Sequence, residues 1–299
     1  MAARTRAARS TTTHRSASIR AGRIAGQTIV YAITLALAVV FSFPAFWVLS
    51  SSLKTVGEIY SYPPTLLPVV PMWSNYDEVL TKVPFLVWAR NSAFITVLAT
   101  TGTVVSASIV AYSFARFEYP GRNFMFVLTL STMMLPVEVT LIPQFLIFNE
   151  LGWVNTFKPL IIPAWFGGGA FSIFLLRQFF MSIPRELDDA AMIDGAGTFR
   201  VLFQILMPLC RPALATVAVI SFIHEWDSFL VPLIYLNSKE NFTLALGLRY
   251  FMQLGGSERQ PTEHLLMAAT VLIVLPVIIL FFAAQRYFVR GIVMSGIKG

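Results

Sequence analysis

"ELDDAAMIDGAGTF", residues 186–199, stands between two long apolar runs of the chain. Its four acids, Glu186, Asp188, Asp189 and Asp194, cannot be dissolved in hydrocarbon, so the chain must leave the bilayer here. Around this stretch, residues 181–212 have a helical grammar. Ser182 suits an N-cap, Pro184 a first turn, and Glu186, Asp188 and Asp189 put negative charge at the helix N-terminus. Gly195 or Gly197 then supplies the left-handed residue that ends a helix. A second short helix is predicted from near Thr198, carrying Phe199 and Phe203 on one face and finishing before Pro208 and Pro212. Ala190, Ala191, Gly195 and Ala196 are expected to leave a nearly side-chain-free surface that another backbone could approach. The acids beside it offer ion-pair partners. A well-capped connector whose acids merely face water has the same grammar, and the residues alone leave both readings open. The clustered aspartates have no His or Cys nearby, so no metal site is expected.

The flanks of this stretch define the class. With 56% hydrophobic and only 12% charged residues, the composition lies far from that of a soluble domain. A helical crossing needs about 20 mostly apolar residues. Candidates fall at roughly 24–50, 92–114, 124–148, 159–180, 212–235 and 264–286, which predicts an all-α integral membrane protein with six transmembrane helices. Six crossings put both termini on one side. Placing them in the cytoplasm puts 15 of the 22 Lys and Arg inside, including six arginines within residues 1–23. The stretch 186–199 then faces the cytoplasm. Residues 1–23, rich in Arg, Ser and Thr and free of acids, read as a basic disordered cytoplasmic tail, and 24–299 as the six-span domain. The formal charge of +7 is accounted for by this topology, and no nucleic-acid partner is expected. One cysteine, Cys210, excludes an internal disulfide.

Polar groups within spans are costly and mark interior surfaces. Glu138 lies in "LPVEVTLIP", where Pro136 and Pro143 should kink or interrupt the third span. His224, Glu225 and Asp227 lie in "HEWDSFLVP", roughly 18–23 Å beyond Pro212 along a helix. An aromatic ring beside an acid often holds a sugar, so Trp226 and Asp227, with Glu138, are the candidate substrate-pathway residues. Interface anchoring of Trp226 and headgroup placement of the acids are the plainer alternatives. Residues 54–90, divided by Pro63, Pro64, Pro68 and Pro71, form a structured outer loop.

The run "ELDDAAMIDGAGTFRVLFQILMPLCRP" resembles the EAA signature of permease subunits of bacterial ABC importers. Asp189, Ala190 and Ala191 stand for its opening triplet, followed by Asp194, Gly195, Ala196 and Pro208. The usual Glu is Asp189 here, one methylene shorter. "SSLKTVGEIYSYPPTLLP" from Ser51, "NY" at 75–76, "NS" at 91–92, "LPVEVTLIPQF", "IPRELDDAA" and the ending "QRYFVRGIVMSGIKG" are similar, in order, to the MalG-like branch of carbohydrate importers. The family usually carries Asn at the position of Asp227.

This resemblance implies a type I ABC importer permease fold in the bacterial cytoplasmic membrane, with a coupling helix that docks on a separate ATPase. The implied coupling residues are Asp189, Ala190, Ala191, Asp194, Gly195 and Ala196, joined by Gly296, Lys298 and Gly299 of an ATPase-contacting C-terminal tail, 287–299. The implied partners are a homologous MalF-like second permease, two ATPase subunits, an extracytoplasmic solute-binding protein and surrounding lipid. The implied cargo is a sugar or oligosaccharide, with glycerol 3-phosphate, glycerophosphodiesters or polyols as the alternative. ATP and Mg belong to the ATPase partners, and no cofactor is expected on this chain. It has no GxxxxGK[ST] phosphate loop, "GGGA" at 167–170 lacks the lysine, and no catalytic residue is expected. From another class, an ion-coupled secondary transporter would use the intramembrane acids as ion sites, although no internal repeat is apparent.

Overall fold

The computed structural model describes residues 2–254 and 262–295, and no β-strand occurs among them. Its principal helices are α1 (Ala2–Ser51), α2 (Ser74–Lys82), α3 (Phe85–Arg116), α4 (Arg122–Ser131), α5 (Val137–Glu150), α6 (Ala170–Ser182), α7 (Glu186–Ile193), α8 (Arg211–Trp226), α9 (Leu244–Leu254) and α10 (Glu263–Ser295).

Among the described residues, four helical stretches are long and apolar enough to cross a bilayer: Gly26–Ser51, Phe85–Arg116, Lys158–Ser182 and Glu263–Gln285. Two more candidates are bent pairs, Arg122–Met134 with Val137–Glu150 at 99° and Thr198–Leu209 with Arg211–Trp226 at 85°. The described residues therefore hold four to six candidate crossings. The first bend falls at Pro136, where the sequence predicts an interruption, while Pro143 lies inside α5 without breaking it.

Three expectations about the helices differ from the structure. The helix of the first span begins at Ala2, so residues 2–23 continue it instead of forming a separate disordered tail. The segment has no proline and is rich in Ala and Arg, both good helix formers. The run 159–180 is not one helix: Gly167, Gly168 and Gly169 all take positive φ and separate a short turn of helix at Lys158–Ile161 from α6. Finally, the run 212–235 stops at Trp226 and resumes at Leu230–Tyr235. Pro232 has no N–H to give the Ser228 carbonyl, so the i→i−4 ladder fails across 228–232.

The hub is α3, which packs along α6 and α8, while α8 packs along α10 and α1 meets the bundle through α10. On one flank the core gathers Ala107, Ala111, Ile173, Leu176, Phe180, Leu202, Leu206, Ala213 and Val217. Small residues on α3 let the neighbouring backbone come close. Gly168 is the extreme case. With φ +64° it lies so near α3 that a Cβ there would come within 2.5 Å of the Thr103 carbonyl oxygen and 2.7 Å of the Ala107 Cβ. Gly168→Val should therefore destabilise the protein by about 2–4 kcal/mol through overpacking and backbone strain. Thermal unfolding of the detergent-solubilised protein checks this, and an unchanged midpoint would disprove the close approach.

The polar pairs at 75–76 and 91–92 are staples. Asn75 Nδ2 donates to the Ser52 and Lys54 carbonyls at 2.9 and 3.0 Å, and the Tyr76 hydroxyl pairs with Ser52 Oγ at 2.7 Å. Asn91 Nδ2 donates to the Glu240 carbonyl at 2.7 Å, while Ser92 Oγ accepts from the Leu244 amide at 2.7 Å. They fix the loop 52–76 and the approach to α9, one on each side of the start of α3.

Candidate functional site

The element opened by the sequence is helix, turn, helix, with its caps arranged differently than expected. Ser182 does not cap α7. It ends α6, where its hydroxyl donates to the Phe179 carbonyl at 2.7 Å. Pro184 forces the chain into an extended turn, and α7 starts at Glu186 with no side-chain cap, its first turn facing three acids instead. The stop is a Schellman motif. Ala196 N–H bonds to the Ala191 carbonyl at 2.9 Å and Gly195 N–H to the Met192 carbonyl at 3.0 Å, with Gly195 at φ +81°. Gly197 keeps negative φ and leads into Thr198–Arg200, a π-helical stretch Val201–Leu206 and Met207–Leu209. Pro208 cannot donate to the Gln204 carbonyl, which accounts for the widened turn immediately before it. Phe199 and Phe203 stack with centroids 6.4 Å apart, as their spacing predicts.

Burial divides the expected coupling residues. Asp189, Ala190, Asp194 and Gly195 are exposed, whereas Ala191 is buried and Ala196 half-buried, both against the core beneath α7. The anticipated side-chain-free surface is therefore corrected: those two alanines let α7 lie close on its own protein. The outward ridge is apolar, made by Leu187, Ala190, Ile193 (86% exposed) and Phe199 (66% exposed), with Asp189 and Asp194 beside it. Gly296, Lys298 and Gly299 lie outside the described residues.

Sequence reasoning missed what fastens α7. Asp188 turns inward, and its Oδ2 lies 2.8 Å from Nε of Arg116 at the end of α3, with side chains only 8% and 6% exposed. Arg116 also donates from a terminal nitrogen to the Ile183 carbonyl at 3.1 Å, so one guanidinium grips both the helix and the turn before it. Asp188 Oδ1 has no hydrogen-bond partner among the described residues. Burial pushes the Asp188 carboxyl above the ordinary aspartate value, with Arg116 opposing. The available signal was register: Asp188 and Ala191, three apart, share the inward face. Arg185 and Glu118, 3.6 Å apart, make only an exposed pair of little energetic weight.

The second site is a cleft of about 700 Å³ between α3, α6 and α8. One face of α8 lines it through Ile220, Ser221, His224 and Glu225, positions related by i+1, i+4 and i+5, and Ser228 adds a hydroxyl from the break just beyond the helix. Thr103, Thr132, Ser172 and the Gly168–Gly169 turn form the other walls. Of the pathway residues named from the sequence, none lines this cleft. Trp226 is buried on the opposite face of α8, where its indole N–H donates to the Ile273 carbonyl at 3.0 Å and its ring stacks on Phe222 at 5.7 Å. Asp227 is the exposed C-cap of α8, and Glu138 is exposed in the first turn of α5. The helical spacing from Ser221 leads instead to Glu225, which lines the cleft with His224.

A broken-span helical bundle carrying a rigid, outward-facing helix between spans defines a membrane permease component. The binding-protein-dependent transport system inner membrane component family matches residues 103–294, and the chain belongs to it. It is 32% identical over 266 residues to the arabinooligosaccharides transport system permease protein AraQ of Halalkalibacterium halodurans, covering 88% of this chain and 93% of that one. It is also 32% identical over 259 residues to the sn-glycerol-3-phosphate transport system permease protein UgpE of Yersinia pestis, covering 85% and 91%. Among solved structures, a chain of a bacterial ABC transporter that imports the acidic polysaccharide alginate superposes with a TM-score of 0.77 at 28% identity, over 90% of this chain and 98% of that one. The fold is thus that of a type I ABC importer permease, and the chain is a transport subunit, not an enzyme. Family membership sets aside the ion-coupled secondary transporter.

Proposed function

We propose that this chain forms half of the translocation pathway of an ATP-driven carbohydrate importer in the bacterial cytoplasmic membrane. It crosses six times, with both termini and α7 in the cytoplasm. A MalF-like second permease completes the pathway, two ATPase subunits dock on the α7 ridge and the C-terminal tail, and an extracytoplasmic binding protein delivers the solute. The observation that carries the reading is α7 itself: a short helix pinned to α3 by Arg116 and sharply ended at Gly195, with Ile193 and Phe199 bared to solvent. Exposed apolar ridges of this kind mark interaction surfaces. ATP binding can shift such a protein between inward- and outward-open states only through contacts that differ between the two, and a stiff, pinned helix transmits that difference.

The polyhydroxyl class of the solute is supported by the cleft. The hydroxyls of Thr103, Ser172, Ser221 and Ser228 have no side-chain hydrogen bonds to the protein among the described residues and are free to meet a sugar. The test is reconstitution with the companion subunits in vesicles. Arabinotriose uptake should require internal ATP, and protease should reach α7 only from the cytoplasmic side. Solute accumulation without a nucleotide-hydrolysing subunit, or α7 cleaved from the outside, would overturn the reading.

A further inference from the structure

The cleft has a charge character that separates possible solutes. Its described lining carries one carboxylate, Glu225, and an imidazole, His224, among free hydroxyls, and neither Lys nor Arg is among those residues. Glu225 sits on the cleft face of α8, with Ser221 one turn before it and Ser228 in the break just after the helix ends at Trp226. An anionic solute passing this wall would meet the Glu225 carboxyl in partly desolvated surroundings, without a guanidinium or ammonium among the lining residues to offset it. A neutral polyol would meet hydroxyl and carboxylate acceptors that bind sugar hydroxyls well.

From this lining we infer that Glu225 is a charge-selecting residue, and that this half of the pathway is built for neutral polyhydroxylated solutes and disfavours phosphate esters and uronate oligomers. The inference rests on the reading of the cleft as the solute pathway. It divides the relatives described above, whose names cover both uncharged and anionic cargo.

Charged thiol reagents test the wall directly, without the binding protein's own preference. In the complete transporter cycling on ATP, Ser221→Cys and Ser228→Cys are each exposed to a cationic and an anionic methanethiosulfonate of similar size. Rates are normalised to those with a free thiol. The native Cys210 is buried, which keeps the background low. A single nearby carboxylate should favour the cation about tenfold through largely aqueous surroundings. The preference should vanish in Glu225→Gln and reverse in Glu225→Lys. Equal normalised rates for the two reagents with Glu225 intact would overturn the inference while leaving the pathway reading in place. Complete silence of both thiols throughout the cycle would show a dry cleft and overturn the pathway reading itself. A second arm measures transport: Glu225→Lys should lower neutral-oligosaccharide uptake at least severalfold while ATPase co-purification is retained.

Discussion

Asp188→Ala is expected to release α7 from the body of the protein. The substitution leaves the buried Arg116 guanidinium without its carboxylate, and removing one partner of a buried pair typically costs about 3–5 kcal/mol. The loss is local, because the turn Gly197–Thr198 and the extended residues after Ser182 isolate α7 from its neighbours. Amide exchange across 186–196 should rise by two orders of magnitude or more, while protection in α3 and α6 persists. ATP hydrolysis by the assembled complex should continue with poor transport, since the docked helix no longer pulls on α3. Arg116→Met combined with Asp188→Leu should regain much of the protection, as apolar replacement of a buried pair is often neutral or stabilising. Unchanged exchange in Asp188→Ala would remove the ion pair from any fastening role.

Gly195→Trp should abolish ATPase retention while the protein still inserts. No atom lies within 4 Å of where a Cβ would stand, so the indole projects into solvent across the ridge without disturbing the core. The left-handed backbone adds about 1–2 kcal/mol of strain for any L-residue. Gly195→Ala isolates that strain: it should weaken the Schellman turn and only moderately reduce ATPase co-purification. Full retention of the ATPase by Gly195→Trp would show that docking lies elsewhere.

The sequence made the class, the break at Pro136 and the helix-turn-helix at 186–209 legible, because charge, proline and glycine act locally and a reader of residues can follow them. Phe199 and Phe203 met as their spacing required for the same reason. What escaped was inward and outward direction. Ala191 and Ala196 looked like bare surface, and Asp188 like a solvated helix-terminal charge. Whether a small residue marks a docking face or a close contact depends on partners such as Arg116, far away in the chain. The cleft lining follows the same rule of direction. Trp226 and Asp227 drew attention by chemical type, yet the helical register hands the cleft to Glu225 and His224 and turns Trp226 toward Ile273. The pairs at 75–76 and 91–92 stood out as motifs, but their work as staples to distant backbone and hydroxyl groups could be read only from coordinates.

The 85° bend between Thr198–Leu209 and α8 has a mechanical corollary. The far end of α8 lies about 24 Å from that elbow, and the arm before it leads back to the ridge where another subunit would push. The two arms form a bell crank: a turn of only 10° about Cys210 would swing the Glu225 end by about 4 Å. On the proposed coupling, a push on the ridge would reach the cleft as a displacement comparable with the width of a hydroxyl group and its bound water.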